Sequence, residues 1–267
     1  MKYAFVDGQR QEAQLGRPGV CPVCNSPVVA KCGDVRIYHW AHRGRRDCDP
    51  WWENETEWHL NWKNKFPSDW QEFPYTAENG EKHRADIKTD QGWVLEFQHS
   101  KINPDERKAR EAFYQKMVWV VDGARRKNDK SQFSKALEGR KLAGIALDLW
   151  KILVTGECAL LRDWTDSRTP VFFDFSGCDK PEYPYLWCLI RVVNGKAYVL
   201  RVLREDFMKY HSPEAKINNM NFLELLENFN KITEMIEIMS QPRKAPPVDP
   251  MALLQNRKQP RMGLRRF

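Results

Sequence analysis

The chain has 267 residues, with 42% hydrophobic residues and a formal net charge of +7 at pH 7. This length accommodates one large domain or a core with smaller additions, and the composition is that of a globular protein. Residues 1–11 lack an apolar signal core and no run of roughly 18 apolar residues occurs, so we expect a cytoplasmic protein with no membrane partner. Seven cysteines without a framework pattern argue against secreted disulfides and favour reduced thiols or a metal site.

The positive charge is concentrated near the end of the chain. Residues 241–267 contain seven Lys or Arg and one Asp, so the remainder is nearly neutral. Five prolines in this stretch predict a mobile tail. We expect the tail to add nonspecific phosphate contacts. The alternatives are that it aids solubility or binds another protein.

Residues 1–50 are predicted to form a small module with short strands at 1–6 and 9–14. Four metal-ligating side chains follow one another in a Cys-x-x-Cys and a His-x-x-His pattern: Cys21, Cys24, His39 and His42. Their spacing suits a compact structural zinc site, with Cys32 or Cys48 as substitute ligands. A redox-active cysteine pair and a packed strand residue at His39 are the alternatives.

Residues 82–89 and 93–100 alternate in polarity around the polar turn 90–92, which predicts a β-hairpin. A three-residue loop sets Thr89 opposite Trp93 and Asp86 opposite Glu96. The period of two predicts one apolar face, with Ala85, Ile87, Leu95 and Phe97, and one polar face, with Arg84, Asp86, Lys88, Glu96 and Gln98.

Directly opposed carboxylates repel each other unless a cation neutralises them. Asp86, Glu96 and the backbone carbonyl of Phe97 are hard oxygen ligands, so they predict a Mg²⁺ or Mn²⁺ site. The alternative is an exposed hairpin whose charges are solvated.

Helices are predicted on both sides of the hairpin. Upstream, Glu55, His59 and Lys63 are spaced four apart and form a polar stripe beside Trp58 and Trp62. Downstream, Asn103 and Pro104 begin a helix that carries Arg110 and Tyr114, and residues 117–121 read as a buried strand.

The motifs of the hairpin and its flanking helices resemble those of a known family. Asp86 followed by Glu96-Phe97-Gln98 is similar to the PD-(D/E)XK nuclease core in the variant with glutamine in place of lysine. The CoiA-like competence proteins share five motifs in this order: Cys-x-x-Cys with His-x-Ala-His, Glu-Ser/Thr-x-x-His-x-x-x-Lys, Arg-x-Asp, Glu-x-Gln-x-Ser-x-Ile and Arg-x-x-x-Tyr. The resemblance runs from residue 21 to about residue 122.

The resemblance implies a mixed α+β or α/β fold: a restriction-endonuclease-like sheet flanked by helices, with a small zinc module and a C-terminal extension. The expected domains are a zinc-ribbon-like module at 1–50, the nuclease-like core at 51–145, an α+β extension at 146–240 and the tail at 241–267. In the extension, residues 186–203 around Asn194-Gly195 predict a second hairpin, and apolar spacing predicts a helix over 221–239.

The implied activity is Mg²⁺- or Mn²⁺-dependent hydrolysis of phosphodiester bonds, with DNA as partner and RNA as an open alternative. The candidate catalytic residues are Glu55, His59, Lys63, Asp86, Glu96 and Gln98. Arg84, Arg110 and Tyr114 are expected to position nucleic acid or the fold. The family is associated with DNA uptake, recombination and mobile elements, so a recombination or defence protein is a further expected partner. The competing hypothesis is a non-catalytic nucleic-acid-binding accessory factor on the same scaffold.

Overall fold

A computed structural model of the protein describes residues 1–34, 36–44, 48–51, 53, 55–143, 148–153, 158–176, 184–218 and 220–239. The predicted basic tail at 241–267 lies outside these residues. The chain divides into Met1–Asn230, which holds two sheets, and Lys231–Phe267, of which the end of the last helix is described.

The N-terminal sheet is fully antiparallel, with strand order β2-β1-β3-β4-β5. Its strands are β1 (Tyr3–Val6), β2 (Gln9–Glu12), β3 (Pro18–Val20), β4 (Pro27–Gly33) and β5 (Arg36–His42). Asp7 and Gly8, both at positive φ, form the tight turn between the first two strands. The sheet closes over Trp40, which is 1% exposed.

The second sheet has eight strands in the order β10-β13-β12-β11-β9-β8-β7-β6. They are β6 (Gln71–Thr76), β7 (Lys82–Lys88), β8 (Val94–Gln98), β9 (Met117–Asp122), β10 (Leu149–Leu153), β11 (Val171–Asp174), β12 (Tyr185–Val193) and β13 (Lys196–Leu203). Strands β8, β9 and β11 run parallel, and the other neighbours are antiparallel. The predicted mixed α+β architecture is therefore present, and strands β10 to β13 continue the sheet of β6 to β9.

Seven helices occur in the described residues: α1 (Glu57–Lys63), α2 (Pro104–Tyr114), α3 (Asp129–Leu137), α4 (Ala159–Arg162), α5 (Arg204–His211), α6 (Pro213–Ile217) and α7 (Phe222–Met239). None of them is both long and apolar enough to span a bilayer. Asn103 caps α2 through the backbone N–H of Asp105, as its position before Pro104 predicts. Helix α1 begins later than the polar stripe suggests, because Thr56 caps it.

Helices cover both faces of the large sheet. Helices α2 and α3 contribute Tyr114 and Phe133 to a cluster that includes Trp119 and Phe173 of the sheet. On the opposite face, Trp62 of α1 stacks on Phe97 with ring centroids 5.5 Å apart. This double cover makes every residue of β8 and β9 buried, as in other sheets whose parallel strands lie at the centre.

Both predicted hairpins are present, and the first has the predicted register. Ile87 pairs with Leu95 and Lys88 with Val94, and the Thr89 N–H donates to the Trp93 carbonyl at 2.9 Å. In the second hairpin, Asn194 and Gly195 both have positive φ and join β12 to β13.

Candidate active site and metal centre

The pairing of β7 with β8 stops at Ile87 and Leu95. Beyond this point, two carboxylates take the place of backbone carbonyls. The Asp86 N–H donates to Glu96 Oε1 at 3.2 Å, and the Phe97 N–H donates to Asp86 Oδ2 at 3.0 Å. The strands therefore separate at the position where the register sets Asp86 opposite Glu96, and both side chains occupy the opening.

The predicted division of this hairpin into one apolar and one polar face is wrong. Ala85 packs into the cluster under α2, whereas Phe97 stacks on Trp62 of α1. Both were expected on one face. The physical reason is that the side-chain alternation is not carried across the opening between the strands, and that helices bury both faces of the sheet.

A cavity with free volume of about 40 Å³ lies at the opening between β7 and β8. This space holds a few water-sized ligands. Six carboxylates line it: Asp49, Glu53, Glu55, Glu72, Asp86 and Glu96. Three side-chain cations line it as well: Lys63, Arg84 and Arg110. The sequence indicated Glu55, Asp86 and Glu96 among these acids but not the other three.

Each hairpin carboxylate is paired with a cation from a different helix. Lys63 Nζ of α1 lies 2.9 Å from Asp86 Oδ1, and an Arg110 nitrogen of α2 lies 3.1 Å from Glu96 Oε2. Lys63 also contacts Glu55 Oε1 at 2.6 Å and Glu72 Oε1 at 3.6 Å. Burial alone would lower the pKa of Lys63, but the three carboxylates outweigh it and raise the pKa. Lys63 is thus a permanently charged ammonium group.

The pKa values of the two carboxyls are shifted in opposite directions. Burial, reinforced by the charge of Asp86, raises the pKa of Glu96 to about 8 despite the opposing effect of Arg110. Burial also acts to raise the pKa of Asp86, but the charge of Lys63 and the hydrogen bond from the Phe97 N–H lower it overall. At neutral pH, Asp86 is therefore ionised while Glu96 largely retains its proton.

His59 is fixed by both ring nitrogens. The Thr56 N–H donates to Nδ1 at 3.3 Å, so Nε2 carries the proton and donates it to the Phe97 carbonyl at 2.8 Å. Burial lowers the pKa of His59, which favours this neutral form. The imidazole therefore holds the Phe97 carbonyl, which the sequence analysis predicts as a metal ligand.

Arg84 lines the cavity, whereas Gln98, a predicted catalytic residue, is not among the lining residues. The Gln98 amide donates to Glu53 Oε2 at 2.8 Å, and its buried Oε1 has no partner among the described residues. The Arg84 N–H donates to Asp49 Oδ2 at 3.0 Å. Tyr114 of α2 lines the cavity, and burial raises its pKa.

Helix α1 is anchored by a residue that the sequence does not reveal. Asp174, 1% exposed at the end of β11, accepts the indole N–H groups of Trp58 at 3.1 Å and Trp62 at 2.9 Å. Arg204 pairs with its other oxygen at 2.6 Å. The tryptophan stripe thus holds α1 on the sheet so that Lys63 faces Asp86.

A second group of side chains lies in the N-terminal module. It is the one group of at least three His, Cys, Asp or Glu in the described ranges whose ligand atoms all lie within 4.8 Å of one another: Cys21, Cys24, His42 and Cys48. Cys24 Sγ and Cys48 Sγ lie 3.3 and 3.4 Å from His42 Nε2. The hydrogen bond with Cys48 lowers the pKa of Cys21, which favours the thiolate form that a metal binds.

These donors fit a structural metal such as zinc. Zn–S bonds of about 2.3 Å in tetrahedral geometry place two sulfurs about 3.8 Å apart. The Cys21 and Cys48 sulfurs are 3.9 Å apart. The cavity carboxylates, in contrast, form no such close group among the described residues.

The predicted ligand His39 is wrong, and Cys48 takes its place. His39 and His42 are three residues apart in β5, so their side chains point to opposite faces of the strand. His39 Nδ1 instead lies 2.8 Å from the Ile37 carbonyl.

The segment after Cys48 connects this cluster to the cavity. Asp49 accepts the N–H of Trp51 and that of Arg84, both at 3.0 Å, and contacts His83 Nδ1 at 3.0 Å. Trp51 then stacks on His83 with ring centroids 3.2 Å apart. The residue next to a predicted metal ligand is therefore bonded to β7.

Comparisons with known proteins bear on the N-terminal module. No curated protein and no solved structure matches the chain. Residues 9–50 match the family model of competence protein CoiA, N-terminal domain. This range contains all four residues of the cysteine-histidine cluster. The match supports the resemblance seen in the sequence over this module, which is similar to the N-terminal domain of CoiA.

Proposed function

We propose that this protein is a metal-dependent nuclease that hydrolyses phosphodiester bonds in DNA, on a PD-(D/E)XK-like core and in the setting of DNA uptake, recombination or mobile elements. The observation that carries the proposal is the opening between β7 and β8, where Asp86, Glu96 and Lys63 meet around one cavity. The similarity of residues 9–50 to CoiA supports a competence-related role.

The donor types around the opening fit Mg²⁺ or Mn²⁺. Asp86 and Glu96 supply carboxylate oxygens, the Phe97 carbonyl is adjacent, and all three residues line the cavity. When bound there, the metal would polarise the scissile phosphate and lower the pKa of a water molecule. The high pKa of Glu96 makes metal binding pH-dependent, because the ligand form is the ionised one.

The remaining residues have roles that follow from their contacts. Lys63 is a fixed cation beside Asp86 and stabilises negative charge on the phosphate in the transition state. Glu55 orients Lys63, since its Oε1 lies 2.6 Å from Nζ. His59 acts as a positioning residue, because its proton is donated to the Phe97 carbonyl. The unpartnered Oε1 of Gln98 can accept a hydrogen bond from a water molecule.

The test uses purified protein with linear, circular and single-stranded DNA, with Mg²⁺, with Mn²⁺ and without added divalent metal. Omitting the metal, instead of adding a chelator, leaves the zinc cluster intact. We expect metal-dependent cleavage, and a loss of about 10²–10³-fold in rate for Lys63→Ala. The matched control is Lys65→Ala, an exposed lysine two residues away, which should cleave normally.

A second candidate function is a non-catalytic nucleic-acid-binding accessory factor. One observation favours it: Asp86 and Glu96 are each already paired with a protein cation. This hypothesis predicts DNA binding that is independent of Mg²⁺ and no cleavage of any DNA or RNA form. Cleavage by the wild type that disappears in Lys63→Ala and not in Lys65→Ala would exclude it.

A further inference from the structure

A second cavity, with a volume of about 270 Å³, opens between α3 and strands β11 to β13. Four aromatic rings and two basic side chains line it: Phe133, Phe175, Tyr185, Trp187, Lys130 and Arg201. It shares no residue with the cavity at Asp86 and Glu96. Neither the mechanism proposed above nor the family match involves it.

The rings are arranged in two layers. Phe133 and Phe175 are buried, 2% and 7% exposed, with centroids 4.8 Å apart. Trp187 packs edge-on against Phe133 at 5.4 Å, and both Trp187 and Tyr185 are half-buried. Phe133 thus holds the Trp187 ring in place, and the half-buried Tyr185 and Trp187 rings offer flat apolar surface at low entropic cost.

A guanidinium group lies over one face of the Tyr185 ring. Arg201 Cζ lies 4.3 Å from the centre of the Tyr185 ring, and Arg201 Nε donates to Asp148 Oδ2 at 3.0 Å. Asp148 thereby fixes the plane of the guanidinium group. No carboxylate lines the cavity in the part of the chain that the structure describes. Aromatic rings with a fixed planar cation are the surface on which unpaired nucleobases stack.

The position of the cavity in the sheet relates it to the first site. Trp187 pairs with Phe173 of β11 and with Arg201 of β13, close to the end of β11. Parallel strands β8, β9 and β11 all end at this edge, where Gln98 is in register with Val121. Three strand spacings, about 14 Å, separate β8 from β12.

We propose that this second cavity binds an unpaired nucleobase of single-stranded DNA by stacking on Tyr185 and Trp187. Only the choice of DNA as the polymer rests on the proposed function. Arg201 is paired with Asp148, so its positive charge is largely neutralised within the protein. We therefore expect the part of the binding free energy that comes from stacking on the rings to be insensitive to salt, unlike the part that comes from phosphate contacts.

The experiment measures binding of a fluorescein-labelled oligodeoxythymidylate of about 12 nucleotides by fluorescence anisotropy. No divalent metal and no chelator are added, so cleavage is suppressed and the cysteine cluster is undisturbed. We expect Tyr185→Leu to raise Kd about 5- to 100-fold for the single strand. The same variant should leave binding to duplex DNA of equal length unchanged. Tyr210→Leu on α5, another half-buried tyrosine, is the matched control and should bind as the wild type does.

Trp187→Phe provides a readout that does not depend on loss of the fold. It keeps an aromatic ring, so affinity should be retained while the quenching of tryptophan fluorescence by the oligonucleotide falls. Equal affinities of wild type and Tyr185→Leu, an equal loss on duplex DNA, or no binding of the oligonucleotide by the wild type would each overturn the proposal. Tyr185-dependent binding in a wild type that cleaves nothing would refute the nuclease and retain this site. Cleavage by the wild type, with no effect of Tyr185→Leu on binding, would support the nuclease and refute the nucleobase site.

Discussion

The pKa values of Glu96 and Asp86 are shifted in opposite directions, which predicts how the free energy of unfolding depends on pH. The pKa of Glu96 is raised from 4.5 to about 8 in the folded protein. Each pKa unit corresponds to about 1.4 kcal/mol, so ionising Glu96 costs about 5 kcal/mol more in the folded than in the unfolded chain. Below pH 4.5 the carboxyl of Glu96 is neutral in both states, so this cost is absent and the free energy of unfolding is highest with respect to this group. The corresponding stability is lost as pH rises from 4.5 towards 8.

Glu96→Gln keeps the shape of the neutral carboxyl and cannot ionise. Its free energy of unfolding should match that of the wild type near pH 4.5 and exceed it by a growing margin, up to about 5 kcal/mol, at pH 8.5. Urea unfolding between pH 4.5 and 8.5, without divalent metal, measures the difference. Added Mg²⁺ should narrow it, because metal bound to ionised Glu96 stabilises the folded wild type alone.

Asp86→Asn provides the contrasting variant, since the charge of Lys63 lowers the pKa of Asp86. Its ionised form stabilises the fold above the unfolded pKa of 3.8, and that contribution is lost as pH falls. Asp86→Asn should therefore destabilise the protein at neutral pH. Parallel stability curves for wild type and Glu96→Gln across this pH range would refute the account of the opening between the strands.

Three further predictions concern other parts of the molecule. Cys48→Ser should reduce zinc in protein purified without chelator to less than half an equivalent by elemental analysis, whereas His39→Ala should retain it; the opposite result would restore the original ligand set. Asp174→Ala should lower the free energy of unfolding by about 3–5 kcal/mol, because two buried indole N–H groups lose their acceptor and the partly exposed Arg204 loses its carboxylate partner. A loss under 1 kcal/mol in urea unfolding would contradict the anchoring of α1. Both ring nitrogens of His211 are buried without a partner in the described ranges, and burial lowers the pKa of His211 to about 3. The free energy of unfolding should therefore fall by about 1.4 kcal/mol per pH unit below pH 6.5. His211→Leu should remove this contribution to the pH dependence.

Local patterns predicted much of the fold because local chemistry determines it. The loop 90–92 sets the register of β7 and β8, Asn103 and Pro104 mark the start of α2, and Asn194-Gly195 forms the turn of the second hairpin. Each of these features depends on residues that are neighbours in the chain. Their outcome is therefore insensitive to the rest of the molecule.

The residues that the sequence did not indicate, and the zinc ligand that it misassigned, depend on contacts between distant residues. Asp174 lies more than 100 residues from the tryptophans it holds, and no local pattern marks it. Glu72 enters the cavity from a backbone position with φ of 46°, which the sequence does not indicate. The choice of Cys48 over His39 follows from strand alternation in β5 and from the position of Cys48 beside Cys21, Cys24 and His42.

Both the nuclease proposal and the stability prediction depend on Glu96, because its ionised carboxylate is a proposed metal ligand. The most direct measurement is the single-turnover cleavage rate of DNA by wild type and Glu96→Gln with Mg²⁺ or Mn²⁺, together with the affinity of each protein for the same DNA. The account predicts metal-dependent cleavage by the wild type, a loss of at least about 100-fold in Glu96→Gln, and DNA affinity in the variant that is unchanged or tighter. A wild type that cuts no form of DNA with either metal would contradict it. The carboxylates would then serve only the fold and a binding function.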